Sequence, residues 1–114
     1  MALSPAYEDI EYYSGDELNK SYIVLKGGLP VDMSLDTLVM HVKRKRTDPI
    51  TMAVAVLSST AGTITVSGAN NNIYTLSGQY VLDQDTYYYD IERTNVKETP
   101  QYGKFIVTGD VTRV

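Results

Sequence analysis

From Leu18 onward the chain alternates short runs of β-branched, aromatic and aliphatic residues with clusters of Gly, Pro, Asn, Asp and Ser, the pattern of strands divided by turns. Tyr22 to Lys26 is one such run, stopped by Gly27-Gly28-Leu29-Pro30. Within Thr37 to Arg46, Leu38, Met40 and Val42 fall on one face and Val39, His41 and Lys43 on the other, which predicts a strand with a core side and a wetter side. In Ile50 to Leu57, Met52, Val54 and Val56 oppose Ala53, Ala55 and Leu57, so this strand is expected to be buried on both faces. Ser58 to Gly62 reads as a turn and Thr63 to Ser67 as a strand with Ile64 and Val66 inward; a loop over residues 68–72 leads to a strand from Ile73 to Leu76. A short piece at Tyr80 to Leu82, a strand over Tyr87 to Arg93 and another over Lys104 to Thr108 complete the series.

Seven or eight short strands at this spacing predict an all-β fold, an antiparallel β-sandwich of immunoglobulin-like type. No stretch holds a 3.6-residue apolar period for three turns, and between Leu29 and Leu38 there is room for one helical turn at most. No internal repeat marks a propeller or solenoid. A length of 114 residues fits one domain. Residues 1–17 differ from the rest: no period is sustained, and Glu8, Asp9, Glu11, Asp16 and Glu17 stand without a lysine or arginine. These residues are expected to form an extended N-terminal arm preceding a sandwich over residues 18–114. The arm holds too much apolar surface, in Tyr7, Ile10, Tyr12 and Tyr13, for a solvated tail, and is expected to order by docking on a neighbouring subunit.

Composition removes several function classes. The chain has no cysteine, which excludes thiol catalysis, disulfides and thiolate metal sites. One histidine, His41, cannot supply a multi-histidine metal centre or separate acid and base roles. A formal charge of -4 argues against nucleic acid as the partner. No uncharged apolar run reaches the roughly 18 residues of a membrane span, and the N-terminus lacks the charged and apolar regions of a signal peptide. A soluble, unprocessed protein without cofactor or metal is the expectation. The aromatic residues are ten tyrosines and one phenylalanine, suited to half-buried strands and wet contact surfaces.

Candidate chemistry is sparse. A serine triad would have to use His41, and no Gly-x-Ser-x-Gly elbow exists. Asp83, Asp85, Asp90 and Glu92 could supply paired carboxylates for an unusual hydrolase, and Asp83-x-Asp85 part of a calcium site, but acidic loops are common and the remaining ligands of an EF-hand are missing. Gly27-Gly28 is followed by neither Gly-Lys-Ser/Thr nor a helix, so it is no phosphate loop. The basic run Lys43, Arg44, Lys45, Arg46 is the strongest charge feature, and strand alternation would divide it between two faces. It reads as an edge device or as a docking site for acidic groups, including the carboxylates of a neighbour's arm.

Asp85-Thr86-Tyr87-Tyr88-Tyr89 resembles the Asp-x-Tyr-x-Cys run that opens the penultimate strand of immunoglobulin-like sandwiches, with Tyr87 in the place of the corner tyrosine and Tyr89 in that of the cysteine. An ordinary strand with Tyr87, Tyr89 and Ile91 inward is the other reading. The wider order of fragments is Tyr7, Asp9, Tyr13, Gly15 and Asp16, then Gly28-Leu29-Pro30-Val31-Asp32, then Tyr87 to Ile91, then Gly103-Lys104-Phe105-Ile106-Val107 and Asp110-Val111-Thr112-Arg113. It resembles a small immunoglobulin-like domain of tailed-bacteriophage virion proteins, including the N-terminal domain of baseplate upper proteins. That resemblance implies a non-enzymatic virion structural protein, made in the host bacterial cytoplasm. The expected roles are a capsid cement or decoration subunit, to which a free-standing copy ending at Val114 is suited, or a neck, tail or baseplate adaptor. Its partners would be other virion proteins, such as the major capsid protein or tail and neck proteins, and its own copies. No nucleic acid, membrane or small-molecule substrate is implied. The residues expected to bind partners are Tyr7, Ile10, Tyr12, Tyr13, Lys43, Arg44, Lys45 and Arg46. The alternative function is a carbohydrate-binding module that recognises a host glycan through its tyrosines.

Overall fold

The computed structural model describes residues 6–109, which form an all-β sandwich. The strands are β1 (Ala6–Tyr7), β2 (Ile10–Tyr13), β3 (Glu17–Ile23), β4 (Leu25–Lys26), β5 (Leu29–Pro30), β6 (Leu38–Lys43), β7 (Ala55–Ser58), β8 (Ile64–Ser67), β9 (Ile73–Gln79), β10 (Asp85–Arg93) and β11 (Glu98–Thr108). A 3-10 turn occupies Ile50–Met52. One sheet runs β1-β11-β10-β6-β7, with β2 also on β11, and the other runs β3-β9-β8; β4 and β5 make a separate hairpin. The Gly27-Gly28 turn of that hairpin has both residues at positive φ, 59° and 81°, as a two-residue type I′ turn requires. No helical turn is found between Leu29 and Leu38, where a turn closes instead through Asp36 N–H to the Met33 carbonyl, 3.1 Å.

Period-two patterning explains the core. Leu38, Met40 and Val42 of β6, Tyr87, Tyr89 and Ile91 of β10, and Phe105 and Val107 of β11 face Leu18, Ile64, Tyr74 and Leu76 of the smaller sheet. Their alternate neighbours face outward, so one period decides both the core and the outer face of the sheet. The region from Ile50 to Leu57 departs from the expectation of a doubly buried strand. Ile50, Met52 and Val56 are exposed, the strand begins only at Ala55, and Leu57 alone is fully buried. The reason is position: β7 is the last strand of its sheet and nothing among the described residues covers its outer side.

The arm is also corrected. β1 and β2 lie parallel on β11 in one register, with Ala6 opposite Gln101 and Ile10 opposite Phe105. Ile10 is 1% and Tyr12 5% exposed, and both belong to the domain's own core. Each contributes about 1.5 to 3 kcal/mol by leaving water. The division into an arm of residues 1–17 and a sandwich of residues 18–114 therefore fails within the described residues, because residues 6–13 complete the larger sheet. Residues 1–5 and 110–114, including the Asp110 to Arg113 fragment, lie outside the described residues.

Candidate binding surface

The outer face of the larger sheet collects the polar side chains that alternate with the core. Register sets Lys43, Tyr88 and Lys104 in one row across β6, β10 and β11. His41, Asp90 and Tyr102 form the next row, and Tyr7 of β1 stands beside Tyr102. A shallow cleft of about 320 Å³ opens here, lined by Lys43, Arg46, Tyr88, Asp90, Thr99 and Tyr102 among others.

The basic run is shaped by a turn, not by a strand. β6 ends at Lys43, and Lys43 Nζ donates to the carbonyls of Arg46 (3.1 Å) and Asp48 (3.0 Å), which folds Arg44 to Asp48 back over the sheet. The expected division of the run between two strand faces is thereby replaced by a lip. Arg46 lies over the ring of Tyr88, 4.8 Å to its centre, and Arg44 over that of Tyr87 at 5.7 Å. Arg44 also reaches Asp83 at 4.0 Å, whereas Lys43, Lys45 and Arg46 have no ion pair among the described residues. Lys45 and Arg46 stay exposed on this lip, while the Lys43 ammonium is engaged by the turn's carbonyls.

Of the eight residues expected to bind partners, six lie on the surface and two do not. Ile10 and Tyr12 are spent inside the fold. The Tyr12 hydroxyl accepts the Tyr80 N–H at 2.9 Å and stands within bonding distance of the Asp16 and Tyr80 carbonyls, one of which takes its proton. Tyr7 and Tyr13 are exposed, as are Arg44, Lys45 and Arg46, while Lys43 is half-buried. Tyr7 packs edge-to-face on Tyr102, ring centres 5.2 Å apart, and its hydroxyl lies near both the Asp9 carboxylate and the Arg46 guanidinium. Partial desolvation and then Asp9 raise its pKa, and Arg46 lowers it. The arm and the basic lip thus meet within one subunit. Tyr88, Asp90, Thr99 and Tyr102 belong to no motif; the signal they carry in the sequence is the outward half of the alternation in β10 and β11.

Across the interior, a polar chain joins the two sheets. The Tyr74 hydroxyl donates to Gln101 Oε1, Gln101 Nε2 donates to the Tyr89 hydroxyl at 2.7 Å, and Tyr89 donates to the Glu8 carbonyl at 2.6 Å. Burial drives the pKa values of Tyr74 and Tyr89 far above the ordinary 10.0. At the far end of the sandwich, Arg93 is buried between Asp36 (2.5 Å) and Glu98 (2.6 Å), and Lys26 is 3.5 Å from Glu98.

Catalytic alternatives find no assembled site among the described residues. His41 is opposite Asp90 on one side and Val56 on the other. Ser58 lies diagonal to it, with an Oγ that accepts the Ala61 N–H at 3.0 Å. No hydrogen bond links His41, Asp90 and Ser58. No group of three or more His, Asp or Glu residues that could hold a metal ion occurs among the described residues, and no helix is long and apolar enough to cross a membrane. The chain matches no family model and is similar to no curated protein sequence.

Proposed function

We propose that this chain is an immunoglobulin-like structural subunit of a tailed-phage virion, acting by binding other virion proteins and without enzymatic activity. The observation that carries the reading is strand order. A larger sheet of β2, β11, β10, β6 and β7 faces a smaller sheet of β3, β9 and β8, and the first strand lies parallel to the last. That connectivity supports an immunoglobulin-like reading, in which two antiparallel sheets pack face to face and the larger one carries extra strands at its edge. Tyr87 supports it: its ring is buried at the start of β10 and its hydroxyl donates to the Asp83 carbonyl at 2.8 Å, the bond of a tyrosine corner.

Residues behind the phage resemblance also have structural work to do. Asp9 Oδ1 accepts the Lys104 N–H at 3.2 Å where the first strand is interrupted, Gly15 turns at φ 88° between β2 and β3, and Gly28 turns at φ 81°. The glycan alternative is weakened by ring packing. Arg46 lies over Tyr88, Tyr7 packs on Tyr102, and Tyr89, the third tyrosine of the cleft, is buried, so none of them offers a bare platform. Quantitative mass spectrometry of purified particles tests the proposal. A cement subunit is expected in hundreds of copies per particle and an adaptor in a small ring; absence from the particles overturns the reading.

A further inference from the structure

The cleft on the outer face of the larger sheet carries polar groups that the fold itself does not use. Asp90 and Thr99 line it half-buried, and neither side chain makes a hydrogen bond or ion pair among the described residues. An open carboxylate and an open hydroxyl converging in one concavity are groups for a ligand to pair. Beside them stands Arg46, exposed and without an ion pair among the described residues, with its guanidinium 4.8 Å from the centre of the Tyr88 ring. A guanidinium seated on a ring is held in place and keeps N–H donors for a carboxylate. Lys45, next along the lip, is exposed as well.

Charge and hydrogen-bonding pattern together select the occupant. The chain has a formal charge of -4, yet four of its ten lysines and arginines are consecutive at this lip. The local field is opposite in sign to that of the whole molecule, which favours an anionic partner. Asp90 then separates two kinds of anion. A phosphate backbone brings acceptors only and is repelled by a carboxylate in the cleft, whereas a peptide brings N–H donors together with its carboxylates. The volume, about 320 Å³, is at the small end of ligand sites and suits a few side chains, not a folded surface.

We propose that the cleft takes a short acidic peptide segment of another protein. Its side-chain carboxylates lie against Arg46 and Lys45, a backbone N–H donates to Asp90, and apolar atoms pack beside the Tyr102 ring. This rests on the reading of the chain as a binding protein and names the chemistry of what it binds.

Fluorescence anisotropy of the full chain with a fluorescein-labelled octapeptide of alternating Glu and Val tests it. Saturable binding with a Kd below about 1 mM is expected, weakened at least about tenfold when Gln replaces every Glu. Arg46→Gln, on the exposed lip, should weaken binding at least about threefold. Asp90→Ala distinguishes an accepting carboxylate from a positive field alone. Loss of the acceptor weakens binding, whereas a field alone would bind the acidic peptide more tightly once a negative charge is removed. Circular dichroism should stay native in both variants, since neither residue is in the core. Absence of saturable binding, equal affinity for the Gln peptide, tighter binding by Asp90→Ala, or equal binding of octathymidylate overturns the inference. Peptide binding by a chain missing from the particles overturns the virion reading alone, and incorporation into particles without peptide binding overturns this inference alone.

Discussion

The hydroxyl of Tyr89, on β10, donates to the backbone carbonyl of Glu8 at 2.6 Å, so a residue from the middle of the core holds the first segment of the chain in place. The same hydroxyl accepts from Gln101, which in turn accepts from Tyr74 of the opposite sheet. One polar chain therefore secures both the sandwich and its N-terminal strand.

Tyr89→Phe leaves the Glu8 carbonyl and the Gln101 amide without their partner. A loss of about 1 to 3 kcal/mol is expected in urea unfolding. Native-state amide exchange should accelerate most in residues 6–13, the segment that Tyr89 ties down. Equal acceleration throughout the domain would mean that the bond has no local role.

Ordering of the first strands in the isolated monomer is a second expectation. Amides of residues 10–13 should be strongly protected at concentrations too low for association, because Ile10 and Tyr12 are core residues. Gly103→Ala should remove that protection selectively. A Cβ at Gly103 would run into the backbone of Glu8, which cannot swing aside as a side chain can. Retained protection in the alanine variant would show that the close approach is not needed.

Tyr87→Ala should cost about 3 to 5 kcal/mol, as truncation of a buried aromatic does. Tyr88→Ala should cost much less, since Tyr88 lies on the outer face under Arg46. Tyr87→Phe should cost about 1 kcal/mol, the contribution of one ordinary hydrogen bond, here to Asp83. Coincident urea midpoints for the two alanine variants would overturn the assignment of faces.

Alkaline pH should unfold the protein through its buried phenols. Burial raises the pKa values of Tyr74 and Tyr89 in the fold, whereas in the unfolded chain they ionise near 10.0. The stabilisation they contribute is complete below about pH 10 and is lost as pH climbs toward the folded values. Urea midpoints should fall above that point, and the phenolate absorbance of these two residues should appear together with unfolding. A Tyr74→Phe, Tyr89→Phe variant should show a shallower alkaline decline.

The basic lip predicts salt-dependent binding to particles. Arg44, Lys45 and Arg46 changed together to glutamine should slow association and flatten its dependence on ionic strength, since exposed charges steer encounter more than they add affinity. Lys43 must be kept, because its ammonium holds the turn through two carbonyls. Unchanged association kinetics in the triple variant would reduce the lip to a solvated edge.

Alternation along the chain by itself determined the all-β sandwich, the inward faces of β6 and β10, and the inward Tyr87, because a period of two depends only on neighbours in sequence. The presence of a basic cluster and the lack of material for thiol or multi-histidine chemistry were equally legible in composition. Tertiary structure decided the rest. Whether Ile10 and Tyr12 face a partner or the chain's own core depends on β11, which lies about a hundred residues away in sequence. Whether Met52 and Val56 are buried depends on β7 standing at the end of its sheet, which strand order sets and local pattern does not. The basic run becomes a lip because Lys43 bonds to carbonyls farther along the turn, and the cleft exists because register brings Tyr88, Asp90 and Tyr102 together from β10 and β11. Local periodicity specifies which way a side chain points; only the pairing of distant strands specifies what it meets there.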